Sequence, residues 1–354
     1  MASGTAPVHP EPVSSPPKSA RAGGTRYILI ALALVAVAIA LWRVAFVVLI
    51  AFGGIVVATL LRAMAHPLRR FSRLSDYARV GIALVVLIAL ICGIGLFFGR
   101  QIGGEADELR RLLPQQTAHL ADWLNAKPLG RTLVNSFRET VRDARTLGGL
   151  GAMAFTILGG AVDAVIILFL GIYLALDPRC YLEGGLRLLP LRQRDHVRRA
   201  LAEAGDALRR WLVAQLAAMA VIGVLVGAML GFLGVPLALV LGALAAVLEF
   251  IPVVGPFLFG IPGILVALSK GPRLAAYTLL TYIVVQQIES NLIVPLLQRW
   301  AVRMPPVVSL LAVLVAGILF GPIGIIFAAP LAVVTMALVS HLYVEDLLEH
   351  PQKK

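Results

Sequence analysis

The chain is 354 residues long, 59% hydrophobic and only 14% charged, with a mean hydropathy of +0.90. A soluble domain is about half apolar and about a quarter charged, so this balance excludes an ordinary soluble globule and predicts an all-α, polytopic transmembrane helical protein. The formal charge of +12 does not point to nucleic acid, because the arginines fall between apolar runs, where an excess of basic residues marks cytoplasmic loops.

Catalytic and metal chemistry have little support. Cys92 lies in an apolar run and Cys180 in a basic loop, so no structural disulfide is expected. The six histidines form no HExxH pattern, and neither a GxSxG elbow nor a GxxxxGK[ST] phosphate loop occurs. The expectation is a non-enzyme with no cofactor and no metal.

In chain order, residues 1–26 are rich in Pro, Ser, Ala and Gly and are predicted to be a disordered cytoplasmic tail. The apolar run 27–42, preceded by Lys18, Arg21 and Arg26, resembles a signal-peptide core, but a second long run follows at once, so an uncleaved span is expected. Runs 27–42, 44–61 and 80–99 predict the first three transmembrane helices within 27–99, with a tight turn at Arg43. Segment 62–79 sets Arg62, Arg69, Arg70, Arg73 and Arg79 against Asp76 alone, which places it in the cytoplasm with the N-terminus. Residues 100–151 then form an external amphipathic helical domain, 152–176 a further transmembrane helix, and 177–210 a basic cytoplasmic segment whose charges suit topology or anionic membrane lipid. The long apolar block 211–340 is expected to form the core, and 341–354 a C-terminal tail.

Within that core the apolar runs 236–250 and 256–268 are about 20 Å long as helix, too short for about 30 Å of hydrocarbon. Pro252, Gly255 and Pro256 separate them, which suggests a re-entrant hairpin whose backbone is tolerated at membrane depth only when buried in protein or lining a wet cavity. The stretch 235–255 lays over 304–324 at an offset of 69, pairing Pro236 with Pro305, Leu241 with Leu310, Ala243 with Ala312 and Gly255 with Gly324. Hairpins at 235–268 and 304–340, the second broken at Gly321, Gly324 and Pro330, would make an inverted repeat of the kind secondary transporters use around a midplane site. The plainer alternative is that proline and glycine merely kink ordinary helices. Counted this way, the chain has about eight membrane segments.

Three acids lie in apolar surroundings: Asp163, Glu249 and Glu289. A charge at a helix centre costs about 2.5–3.5 kcal/mol on insertion scales, so such residues face a bundle interior or a water path. Asp163 lies near the start of its run and reads as interfacial. Glu249 sits at the first hairpin tip, where it can bind an ion, accept from freed amides or cap the broken helix. Gln286, Glu289 and Ser290 share one helix face, with Gln287 and Asn291 beside them and Pro295 following. That stripe offers amide donors, carbonyl acceptors and one titratable carboxylate, which suits a small polyhydroxylated solute, a sodium ion or a transferable proton. Gln215 occupies the helix before the first hairpin, as Gln286 and Gln287 do before the second.

The segments "GVPLALVLGALAAVLEFIPVVGP", "QQIESNLIVPLL" and "GILFGPIGIIFAAPLAVV" resemble the autoinducer-2 exporter family of bacterial permeases, through Gly234, Pro236, Glu249, Pro252, Gly255, Pro256, Gln287, Glu289, Asn291, Pro295, Gly317, Gly321, Gly324 and Pro330. The resemblance covers most of residues 27–340; Gln298 and Arg299 stand where the family usually has a glycine. It implies a multi-pass transporter of the bacterial inner membrane, homo-oligomeric with a pentamer as one arrangement, associated with export of a quorum-sensing furanone or with cation/proton antiport. The leading expectation is export of a small polar solute driven by a proton or sodium gradient, since no ATP-binding motif occurs. The alternatives are a cation/proton antiporter, a non-transporting scaffold that binds an envelope partner through 100–151, and a channel.

Overall fold

The computed structural model describes residues 19–70, 75–93, 95–97, 99–100, 147–298 and 304–342. The expected external domain (up to residue 146), most of the N-terminal tail and most of the C-terminal tail lie outside the described residues. Among the described residues the chain is helical, with no strand. Among the same residues six helices are long and apolar enough to cross a membrane, and two shorter apolar ones accompany them. It is a multi-pass membrane protein. The chain divides into two units, Met1–Val48 and Leu49–Lys354.

Helix α1 runs without interruption from Ser19 to Ala65, which corrects the expected turn at Arg43. Between Thr25 and Phe52 the sequence has neither proline nor glycine, and arginine is itself a good helix former, so one charge does not end the helix. In the first unit the side chains of Leu32, Val37, Ile39 and Leu41 are exposed. A short 3-10 turn, His66–Arg70, closes α1. Helix α2 is Asp76–Phe97 and α3 is Leu147–Leu176. The amphipathic α4, Pro178–Arg187, starts at an Asp177 cap whose Oδ1 accepts from the Cys180 amide at 3.2 Å. Asp163 lies near the start of the apolar stretch Leu158–Leu176.

Helix α5, Leu191–Phe232, is about 63 Å long. Its first half is basic and its second apolar. Gly223 and Gly227, four residues apart, let α6 (Ala238–Leu248) approach so closely that a Cβ built on Gly242 would lie 2.7 Å from the Gly223 carbonyl oxygen. After α6 the chain reverses. The Val254 amide donates to the Pro252 carbonyl at 2.9 Å across Val253, whose φ of 71° and ψ of −47° make this a strained γ-turn. Helix α7, Val254–Leu268, then packs back on α6. The reversal closes on Gly255, where any Cβ would strike the Leu248 carbonyl oxygen.

Helix α8 is Pro272–Ile288, followed by a wide π turn, Glu289–Ile293, and the short α9, Val294–Gln298. Pro295 explains the widening: it has no N–H to return to the Asn291 carbonyl and its ring crowds that group. The Val294 amide donates instead to Glu289, five residues back.

The last segment, α10 (Pro306–Val339), breaks at Gly321, whose φ of 65° and ψ of −146° only glycine adopts readily. A Cβ on Gly324 would strike the Ala316 carbonyl oxygen, although eight residues of straight helix would hold them about 12 Å apart. Val313, Ala316 and Ala328 accordingly pack together, with Val254 of α7 against them. Here too the chain doubles back. In each break a glycine three residues on, Gly255 after Pro252 and Gly324 after Gly321, lies against a carbonyl of the preceding helix.

Two of the apolar cores among the described residues join these helices. One joins the apolar half of α5 to α6, α7 and α8 through Ile222, Val226, Leu230, Ala245 and Val285. The other joins Leu49, Phe52 and Val56 of α1 to Leu208 and Leu212 of α5 and Phe327 and Val333 of α10.

Candidate functional site

A cavity of about 720 Å³ opens between α5, the α6–α7 hairpin, α8 and the start of α10. Its polar groups come from separate elements: Gln215 from α5, Glu249 from the hairpin tip, Tyr282, Gln286, Glu289 and Ser290 from α8 and its π turn, and Ser309 from α10. Apolar and aromatic side chains fill out the wall, including Trp211, which meets Phe250 edge-on at 6.1 Å, and Phe259, tilted against Tyr282 at 5.7 Å. A mostly apolar wall with a few convergent polar groups is what a small-molecule site requires.

Glu249 is the most deeply placed acid, 3% exposed. It ends α6, because the chain beyond it turns through Pro252 and no longer supplies helical amides. Gln215 Nε2 donates to its main-chain carbonyl at 2.6 Å and so fixes the hairpin tip to α5. The Glu249 carboxyl hydrogen-bonds to that of Glu289, while its Oε2 is buried without a partner. Glu289 also accepts from Gln286 Nε2 at 3.2 Å. Two carboxyls in contact must share a proton or hold a cation between them, since two bare carboxylates repel. Tyr282 Oη, also buried and unpartnered, lines the same space. Orphaned polar atoms facing a cavity signal an occupant.

Replacing Gln215 with leucine removes the bond that pins the hairpin tip. A loss of about 1–3 kcal/mol is expected, read as a lower melting temperature of the purified protein. An unchanged melting point would mean that α5 does not hold the tip.

Of the residues singled out in the sequence, Gln215, Glu249, Pro252, Pro256, Gln286, Glu289 and Ser290 line the cavity. Gln287 and Asn291 do not: Asn291 Nδ2 donates to the Gln287 carbonyl at 2.9 Å, so this pair is turned onto its own helix. Pro295 shapes the π turn from outside the cavity, Gly255 seals the first reversal, Gly321 and Gly324 form the second, and Pro330 is buried within α10. Sequence reasoning missed Trp211, Tyr282 and Ser309. Tyr282 had a readable signal, because Tyr282, Gln286 and Glu289 recur at i, i+4 and i+7 on one helix face. Among the described residues no cluster of three or more His, Cys, Asp or Glu side chains offers a metal site.

Comparison with known proteins gives this architecture a family. The model of the AI-2E family transporter matches residues 28–343. The chain belongs to the AI-2E transporter family. A relative in Mycobacterium tuberculosis is 31% identical over 73% of this chain and 70% of its own length. YrrI of Bacillus subtilis is 27% identical over 75% of this chain and 72% of its own. The AI-2 transport protein TqsA of Escherichia coli is 26% identical over 72% of this chain and 75% of its own. For an AI-2E transporter, Glu249 and Glu289 lie in the matched region together with every other residue that lines the cavity.

Proposed function

We propose that this AI-2E family member is a secondary transporter that exports a small polar solute across the bacterial inner membrane, with its N-terminus in the cytoplasm, and couples that movement to protons or sodium. The observation that carries the reading is the contact between the Glu249 and Glu289 carboxyls at the wall of the cavity. Each comes from a break in regular helix, Glu249 from a hairpin tip and Glu289 from a π turn. A proton or a cation bound between them links two elements that otherwise move separately. Gln215, Gln286, Tyr282 and Ser309 supply donors and acceptors for hydroxyl or carbonyl groups.

The reading follows energetically from burial. An acid pair kept among oily helices costs several kcal/mol unless its charge is compensated, so the bound ion and the solute jointly set which arrangement of the hairpins is stable. The relative TqsA is an AI-2 transport protein by name, and an oxygen-rich solute of small size suits the cavity here. The same acid pair serves a cation/proton antiporter, in which the two ions replace each other between Glu249 and Glu289. Assembly as a homo-oligomer, the inverted relation of the two hairpins, and the gating roles of Pro252, Gly255, Pro256, Pro295, Gly321, Gly324 and Pro330 belong to the same proposal.

Reconstituted vesicles loaded with a panel of small polyhydroxylated solutes, under an imposed pH or sodium gradient, test it. Saturable flux that follows one of the gradients is expected. Flux that rises linearly with concentration and ignores both gradients would identify a channel and end the carrier reading.

A further inference from the structure

A second cavity, of about 550 Å³, shares no lining residue with the first and lies where the ends of α1, the 3-10 turn, α2, α3 and α4 meet the side of α5. Among the described residues, its cationic rim consists of Arg62 near the end of α1, His66 in the following 3-10 turn, Arg79 in the first turn of α2 and Arg209 on α5, with Asp76 as the one acid. Thr59 and Tyr181 add hydroxyls, and Ile55, Val80 and Leu174 line the part that runs toward the apolar stretches. Asp76 Oδ1 takes one corner of Arg79 at 2.7 Å. The Arg79 Nε is buried and has no acceptor. On α5, Leu201, Gly205 and Arg209 follow at i, i+4 and i+8, and a Cβ on Gly205 would meet nothing. The glycine keeps the cavity open.

We propose that this cavity binds a phosphate group, carried by an anionic membrane lipid or by a free phosphate. Among the described residues that line the cavity, three guanidiniums stand against one carboxylate, so the lining is cationic whatever the state of His66. Arginine forks match phosphate oxygens in paired hydrogen bonds, and one of those forks holds a buried N–H with nothing to donate to. The position suits the ligand. Arg62 closes one membrane-length helix and Arg79 opens the next, so both lie at a single water–membrane boundary, where basic pockets between helices take lipid head groups. The apolar part of the wall continues from the rim in the direction that acyl chains leave a head group. This site is independent of the acid pair and of the transport reading.

The test uses the purified full-length chain in neutral detergent, with its melting temperature followed on titration with phosphatidylglycerol, phosphatidylcholine or inorganic phosphate. Phosphatidylglycerol, or inorganic phosphate, is expected to stabilise the protein more than phosphatidylcholine does. A response to phosphatidylglycerol alone assigns the phosphate to lipid; an equal response to inorganic phosphate assigns it to a soluble anion. In the R62Q/R209Q variant the half-saturating concentration should rise roughly 25-fold, about fivefold for each arginine. Gly205→Leu leaves every charge in place and favours helix, yet it fills the opening and should abolish the response. Arg192→Gln, an exposed arginine outside the cavity, removes the same charge and should change nothing. If phosphatidylglycerol and phosphate act no better than phosphatidylcholine, or if R62Q/R209Q and Gly205→Leu respond like the wild type, the site is not there.

Discussion

Glu289→Gln is expected to yield a folded protein whose transport no longer depends on the imposed ion gradient. Glutamine keeps the size of the side chain and its acceptance from Gln286, but it can neither release a proton nor balance a cation. Coupling between two bound species is typically worth about 1–3 kcal/mol, or roughly 5–150-fold in affinity, and gradient-driven accumulation should fall by a factor in that range. Glu249→Gln should do the same, because the two carboxyls hydrogen-bond to one another and, in the proposed mechanism, form one binding unit. The informative quantity is the double variant. Residues in direct contact do not add, so Glu249→Gln with Glu289→Gln should be no worse than either alone. Multiplicative losses, or coupling that survives Glu249→Gln, would show that the acids work separately and that the contact between them is structural only.

The second large effect is on folding. Gly227 and Gly242 face each other where α5 and α6 cross, yet they should respond in opposite ways to the same added methyl group. A Cβ on Gly242 would sit 2.7 Å from the Gly223 carbonyl oxygen, 2.7 Å from the Gly227 Cα and 2.8 Å from the Gly227 nitrogen. All three are backbone atoms of a continuous helix, so relief requires moving α6 bodily and carrying the Glu249 tip with it. A Cβ on Gly227 meets its nearest neighbour at 3.6 Å, an ordinary contact. Gly242→Ala should therefore cost about 1–3 kcal/mol or more and disturb transport, whereas Gly227→Ala should be near neutral, helped slightly by helix propensity. Melting temperatures of the two purified variants decide the matter; equal values would mean that the two helices cross at a greater distance.

What could be read from the sequence depended on whether the signal was local. Long apolar runs announce helices, because the lipid interior leaves the backbone no alternative. Pro252 and Gly321 announce reversals, because one lacks an amide hydrogen and the other alone tolerates its dihedral angles. The acids announced themselves by their cost. Arg43 misled because a charge was read as punctuation, when only a proline or glycine could have ended so strong a helical run. The fate of Gln287 and Asn291 was not legible: an amide serves a ligand or its own helix equally well, and here Asn291 Nδ2 donates to both the main-chain carbonyl and the side-chain oxygen of Gln287. Nor could spacing show that Glu249 and Glu289, forty positions apart, touch. That depends on how the hairpin tip returns to α8 and on the anchor from Gln215. The basic cavity was invisible for the same reason, since its arginines looked like separate topology markers until the helix ends brought them together.

The wide turn at Glu289–Ile293 amounts to one surplus residue held in an otherwise ordinary helix. Each helical residue accounts for about 100° of rotation, so if that surplus slides along the axis, every side chain it passes swings through about a quarter of a revolution while the rod as a whole stays intact. Glu289 and Ser290 stand at the upstream edge of the defect, and Pro295 bars its passage further downstream. Travel in the other direction, toward Gln286, is a screw-like stroke that would carry the carboxylate away from its partner without breaking the shaft.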